Sequence, residues 1–179
     1  MSRLLDEAQV YQEEHAGLVP DSQRPAFHVS APVGWINDPN GWSVYKGEYH
    51  LFFQYHPYDT HWGPMHWGHV ITKDFVKWER LPVALAPDME YDAQGCFSGS
   101  AVEHEGRHIL LYTGVCEKTV NGRKEMIQAQ CVATGDGVVY TKADKNPVIT
   151  PQMLPEGCNI HDFRDPKIWR KDGVYYALI

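Results

Sequence analysis

Two aspartates, each followed by proline, are the residues of this sequence best suited to chemistry. Asp38-Pro39 stands in Trp35-Ile36-Asn37-Asp38-Pro39-Asn40-Gly41, and Asp165-Pro166 follows Arg164 in Phe163-Arg164-Asp165-Pro166. Proline disfavours the α region for the residue before it, so each aspartate is pushed toward extended geometry, and Asn40-Gly41 supports a tight turn just past the first. A plain turn accounts for Asn-Asp-Pro-Asn-Gly on its own. The second copy changes the weighing, because two carboxylates brought to one pocket are the apparatus of glycoside hydrolysis. There one carboxylate attacks or stabilises the anomeric carbon, and another carboxyl group donates a proton to the leaving oxygen.

Such a meeting requires the two dipeptides to head equivalent elements. Residues 4–15 read as a short amphipathic helix, and after the prolines at 20, 25 and 32 the chain reads as all-β. Three hairpins share a layout of inner strand, turn ending in glycine and apolar return strand. They run from Asp38 through Lys46-Gly47 to residues 48–55, from Ser98 through Glu105-Gly106 to residues 107–114, and from Asp165 through Asp172-Gly173 to residues 174–179. A further hairpin-like pair fills each gap, residues 65–72 with 75–81 and residues 126–134 with 138–142 across Gly135-Asp136-Gly137. Four strands repeating at this period describe propeller blades, whose inner strands converge on a central channel. Strand heads at 38, 98 and 165 should then face one pocket. A β-sandwich with accidental spacing is the competing arrangement.

Composition narrows the partners. The 179 residues carry 16 Lys+Arg against 23 Asp+Glu, a net charge of −7 that repels nucleic acid. The 43% hydrophobic and 22% charged content is that of a globular domain. No apolar run approaches a membrane span, and the opening MSRLLDEAQVYQEEH turns acidic where a secretory signal needs an apolar stretch. No membrane partner and a cytoplasmic location are the expectation. Cys96, Cys116, Cys131 and Cys158 form no C-x-x-C pair and read as reduced core thiols. His66 and His69 differ by an odd number on a strand, which sets them on opposite faces and, with His61, argues against a metal site. Trp67 and Trp78 read as blade core, and Lys142, Lys145, Lys167 and Lys171 are too scattered for a phosphate site. Nothing calls for a cofactor. Aromatic residues make up 12% of the chain and suit stacking on the apolar face of a sugar ring.

Together with residues 52–57 (FFQYHP), 62–69 (WGPMHWGH) and 97–100 (FSGS), the WINDPNG and FRDP motifs resemble those of glycoside hydrolase family 32, which comprises invertases, sucrose-6-phosphate hydrolases and fructanases. The resemblance implies a five-bladed β-propeller followed by a β-sandwich, with residues 1–25 as an N-terminal extension and residues 26–179 as the first two and a half blades. It implies retaining hydrolysis of a terminal β-D-fructofuranoside bond of sucrose, sucrose 6-phosphate or a fructan. Asp38 then resembles the nucleophile and Asp165 a transition-state stabiliser, with Arg164 orienting that carboxylate and lowering its pKa. Trp35, Asn37, Gln54, Phe97 and Ser98 resemble sugar contacts, and Trp62 an aromatic wall. The family's acid/base glutamate, in a Glu-Cys pair downstream of the second motif, has no counterpart in these residues, so this stretch alone is expected to be inactive, and with nearly half the blades absent an open blade flank and unpaired strand edges are expected to leave it poorly folded. A carbohydrate-binding propeller without the chemistry is the other reading.

Overall fold

Four two-residue turns set the register of the strands. In the computed structural model, which describes residues 2–179, Lys46-Gly47, Glu105-Gly106, Asn121-Gly122 and Asp172-Gly173 have positive φ at both positions. That is the backbone of the tight hairpin turn whose twist matches its flanking strands. The strands are β1 (Trp35–Tyr45), β2 (Glu48–His56), β3 (His66–Thr72), β4 (Glu79–Leu85), β5 (Gly95–His104), β6 (Arg107–Val120), β7 (Arg123–Gly135), β8 (Tyr140–Lys142), β9 (Lys167–Lys171) and β10 (Val174–Leu178). They pair antiparallel in the orders β1-β2-β3-β4 and β5-β6-β7-β8, with β9-β10 as a separate hairpin. The repeated four-strand unit read from the turn signals is therefore present twice. One element differs: the return strand expected to end at Gly114 continues to Val120, and β7 starts at Arg123, because Asn121-Gly122 makes a further tight turn.

Alternation along β2 and β3 sends side chains to both faces of the first sheet, and both faces are covered. Phe52, Trp67 and Leu85 pack against Cys96, Leu110, Tyr112, Cys131 and Tyr140 of the second sheet and its approach. Phe53, Tyr55, Val70 and Val83 pack on the other side against Leu5 and Ala8. Those two residues belong to α1 (Arg3–His15), whose buried Leu5, Ala8 and Gln12 share one stripe. The Ser2 hydroxyl caps α1 by accepting the Leu5 N–H at 3.2 Å, and Gln9 Oε1 accepts the Val83 N–H of β4 at 3.0 Å. The opening helix thus helps to build the core of the first sheet. Among the described residues no helix is long and apolar enough to cross a membrane.

The joint between the two sheets is partly polar. His50 and His69 share a proton between Nδ1 and Nε2 at 3.0 Å. His108 bonds Tyr140 OH at 2.7 Å and Ser43 Oγ at 2.9 Å, and stacks on Tyr45 at 4.7 Å. Burial pushes all three histidines below the ordinary imidazole value, His108 to about 3. Nearby, the Lys142 ammonium lies 2.5 Å from both Asp88 and Asp92, so that scattered lysine serves as a buried tie.

Two expectations about side chains need adjusting. Cys96, Cys116 and Cys131 are buried, but Cys158 is exposed, because it lies in the irregular stretch before β9 with no sheet to cover it. Trp67 is fully buried, as expected of blade core. Trp78 is only half-buried; its ring lies against the second cluster and its indole N–H donates to Phe27 O at 2.9 Å.

Candidate active site

Bulges, more than turns, place the first aspartate. On β1 the pairing Ile36↔Tyr55 gives way to Pro39↔Phe53, so Asn37 and Asp38 together oppose the single residue Gln54. A second shift lies between Asn40 and Ser43. A bulge bends the strand and re-aims the side chain it carries. Gly41, inside the second bulge, has φ +55, and a Cβ there would stand 2.5 Å from the Phe52 ring. Glycine is required on both counts.

The second sheet repeats the device. Phe97↔Thr113 is followed by Gly99↔Tyr112, which leaves Ser98 as the extra residue of β5. Its hydroxyl donates to Asp38 Oδ2 at 3.2 Å. Two residues sixty apart in the chain, each on a bulge of its own inner strand, therefore meet.

Asp165 arrives by another route. The proline after it predicts extended backbone, but Asp165 has φ +59, a left-handed conformation that aspartate tolerates better than most residues. Its N–H donates to Thr113 Oγ1 at 3.1 Å; Thr113 donates to Gln130 Oε1 at 2.8 Å, and Gln130 Nε2 donates to Phe163 O at 2.9 Å. Thr113 and Gln130 are fully buried, so a rigid pair on β6 and β7 holds the bend that carries Asp165. Gln128 adds a bond to His161 O at 2.8 Å. None of these three was singled out from the sequence, although the polar period-two pattern of Gln128 and Gln130 in an apolar strand is a readable signal.

The electrostatics correct one expectation. Arg164 does favour the Asp165 carboxylate, with Nε 3.7 Å from Oδ2. Its closer contacts, however, are to Asp162 Oδ1 at 2.8 Å and His161 O at 3.1 Å. Partial burial, reinforced by the negative charge of Asp38, outweighs Arg164 and raises the Asp165 carboxyl above the ordinary carboxylate range. The same coupling shows that the two aspartates lie within reach of each other's field.

The remaining candidates divide into two groups. Trp35 donates its indole N–H to Asn37 Oδ1 at 2.7 Å, which orients that amide beside Asp38. Exposed Trp62 meets the half-buried Phe97 edge-on at 6.0 Å, and Phe97 O accepts the Trp67 indole N–H at 3.1 Å. Gln54, in contrast, is buried, and its amide donates to Cys96 O at 2.9 Å, so it ties the sheets together behind Asp38. Asn40 is buried with neither side-chain polar atom bonded among the described residues.

Residues 28–179 match the family model described as glycosyl hydrolases family 32 N-terminal domain. A sucrose-6-phosphate hydrolase of Zymomonas mobilis is 43% identical over 163 residues, 90% of this chain and 31% of that protein. A raffinose invertase of Escherichia coli is 42% identical over 181 residues, 100% of this chain and 37% of that protein. Among solved structures, the GH32 beta-fructofuranosidase of Bombyx mori matches with a TM-score of 0.84 at 42% identity, covering 96% of this chain and 35% of that one. A mutant of the same silkworm enzyme has been solved in complex with sucrose. This chain spans about a third of the length of these relatives.

Proposed function

The chain belongs to glycosyl hydrolase family 32, and from that footing we propose that the whole protein hydrolyses the terminal β-D-fructofuranoside bond of sucrose or sucrose 6-phosphate with retention. The observation that carries this reading is that Ser98 hydrogen-bonds Asp38 while Asp165 is held alongside by Thr113, the cross-strand partner of Phe97 next to Ser98. In the same reading the two four-stranded sheets and the third hairpin are the first blades of a five-bladed ring.

Asp38 is the nucleophile. Its free oxygen attacks the anomeric carbon of fructose, the bond to the glucosyl oxygen breaks, and a fructosyl ester forms that water later hydrolyses. Ser98 holds the other oxygen of Asp38 and so fixes the attacking one. Asp165 accepts hydrogen bonds from fructose hydroxyls, and Trp62 with Phe97 walls the ring. The leaving oxygen takes its proton from a third carboxyl group, a part that no described residue in contact with Asp38 supplies.

Hydrolysis of sucrose and of sucrose 6-phosphate by the whole protein tests this, with the anomer of the released fructose followed by NMR before it equilibrates. The expected outcome is β-fructofuranose as first product and, in folded Asp38→Asn, a loss on the order of 10³-fold or more in kcat. Turnover within tenfold of the parent protein would remove Asp38 from the role. Tight sugar binding without turnover would turn the site into a lectin.

A further inference from the structure

A cleft of about 290 Å³ between residues 24–30 and the β3-β4 edge of the first sheet gathers cationic side chains. Arg24, His28, Lys77 and Arg80 line it with the rings of Phe27 and Trp78, and no aspartate or glutamate does. In a chain of net charge −7 this is an inverted patch. Arg24 spends its N–H groups on the carbonyls of Ala16, Ala31 and Pro32, at 3.0, 2.9 and 2.7 Å. Those bonds fix its position without neutralising it.

Arg80 makes no ion pair or side-chain hydrogen bond among the described residues. Partial burial and the charge of Arg24 both disfavour its cation, with Asp21 offsetting part of that. Tyr55, fully buried and with its hydroxyl unbonded among the described residues, is near enough to feel the Arg80 charge. Lys77 also borders a depression carrying Glu48, Asp74 and Glu79, but the Asp74 carboxylate is already taken by the N–H groups of Val76 and Lys77 at 2.9 and 2.7 Å.

We propose that this cleft binds a phosphate dianion, free or as the monoester of a small metabolite, at a site separate from the Asp38–Asp165 pair. Arg80 pairs with Val70 on the outermost strand of the first sheet, three strands from β1 and several residues along from the level of Asp38. Strand spacing and rise put the two on the order of 20 Å apart. A guanidinium presents paired N–H groups that match phosphate oxygens, and an ammonium adds a point charge. The Trp78 indole N–H is engaged by Phe27 O, so the ring serves as a wall on which the organic part of a monoester rests.

Calorimetric titration of the protein with inorganic phosphate and with glucose 6-phosphate, at constant ionic strength, tests the site. Saturable binding is expected, weakened at least tenfold by Arg80→Gln and further by adding Lys77→Gln, with the melting temperature of the ligand-free protein unchanged and partial retention in Arg80→Lys. Tighter binding of the monoester that falls to the level of the free ion in Trp78→Ala assigns the Trp78 wall to it; equal affinity assigns the cleft to the free ion. Asp38→Asn should leave phosphate affinity untouched, which separates this site from the hydrolytic one. No saturable binding of either probe, or binding that survives the double variant, overturns the proposal.

Discussion

Asp165 is where opposing influences are easiest to read. Its carboxyl lies above the ordinary range because partial burial and the charge of Asp38 outweigh Arg164. Removing the Asp38 charge in Asp38→Asn should therefore lower the Asp165 midpoint, and Arg164→Gln should raise it. Carboxyl ¹³C chemical shifts followed against pH measure both, and a midpoint unmoved by either change would uncouple the three residues. A reaction that needs Asp165 ionised should fail on the acid side at a pH above the ~3.9 of a free aspartate. The two Asp-Pro pairs and the adjacent arginine were legible in the sequence. The sign of the shift was not, because burial and a charge 127 positions away leave no local trace. Nor was the left-handed backbone of Asp165, which depends on the grip of Thr113 from another strand.

Among the elements, β1 does most to aim the site. Gly41→Ala places a side chain in the left-handed region, at a cost of about 1–2 kcal/mol, and drives it against Phe52. The expected result is a melting temperature lower by several degrees, with a fall in kcat larger than any change in KM as the bulge beneath Asp38 shifts. Activity and stability equal to the parent would show that the bulge is indifferent. Thr113→Val leaves the Asp165 N–H without its acceptor, for a loss of about 1–3 kcal/mol, and denaturant unfolding checks it. The x-Gly turns made the hairpins legible, since positive φ at two successive positions favours such pairs. The bulges were hidden, because one extra residue in a strand changes no composition. Asn121-Gly122 was visible all along, and with it the full length of β6 and β7.

At the scale of the molecule, the repeated four-strand unit could be read from turn spacing, but the chemistry of the joint between the sheets could not, since His50, His69 and His108 come from three different strands. Their depressed midpoints fix a sign. Above about pH 6.5 they are neutral in both states and the joint holds in full. As the pH falls through 6.5 the unfolded chain takes up protons that the folded one refuses, until about 3 at His108. Stability should drop by about 1.4 kcal/mol per pH unit for each histidine involved, and urea unfolding at pH 7, 6 and 5 measures it. A flat profile over that range would contradict the burial argument. The backbone ladders within each sheet contain no titrating group, whereas His50, His69 and His108 lie in the joint itself, where burial opposes each added charge. Acid should accordingly divide the molecule along this line and spare the sheets: a molten globule with its far-ultraviolet β signal intact, its near-ultraviolet aromatic signal lost, and a newly opened surface that takes up a fluorescent hydrophobic dye.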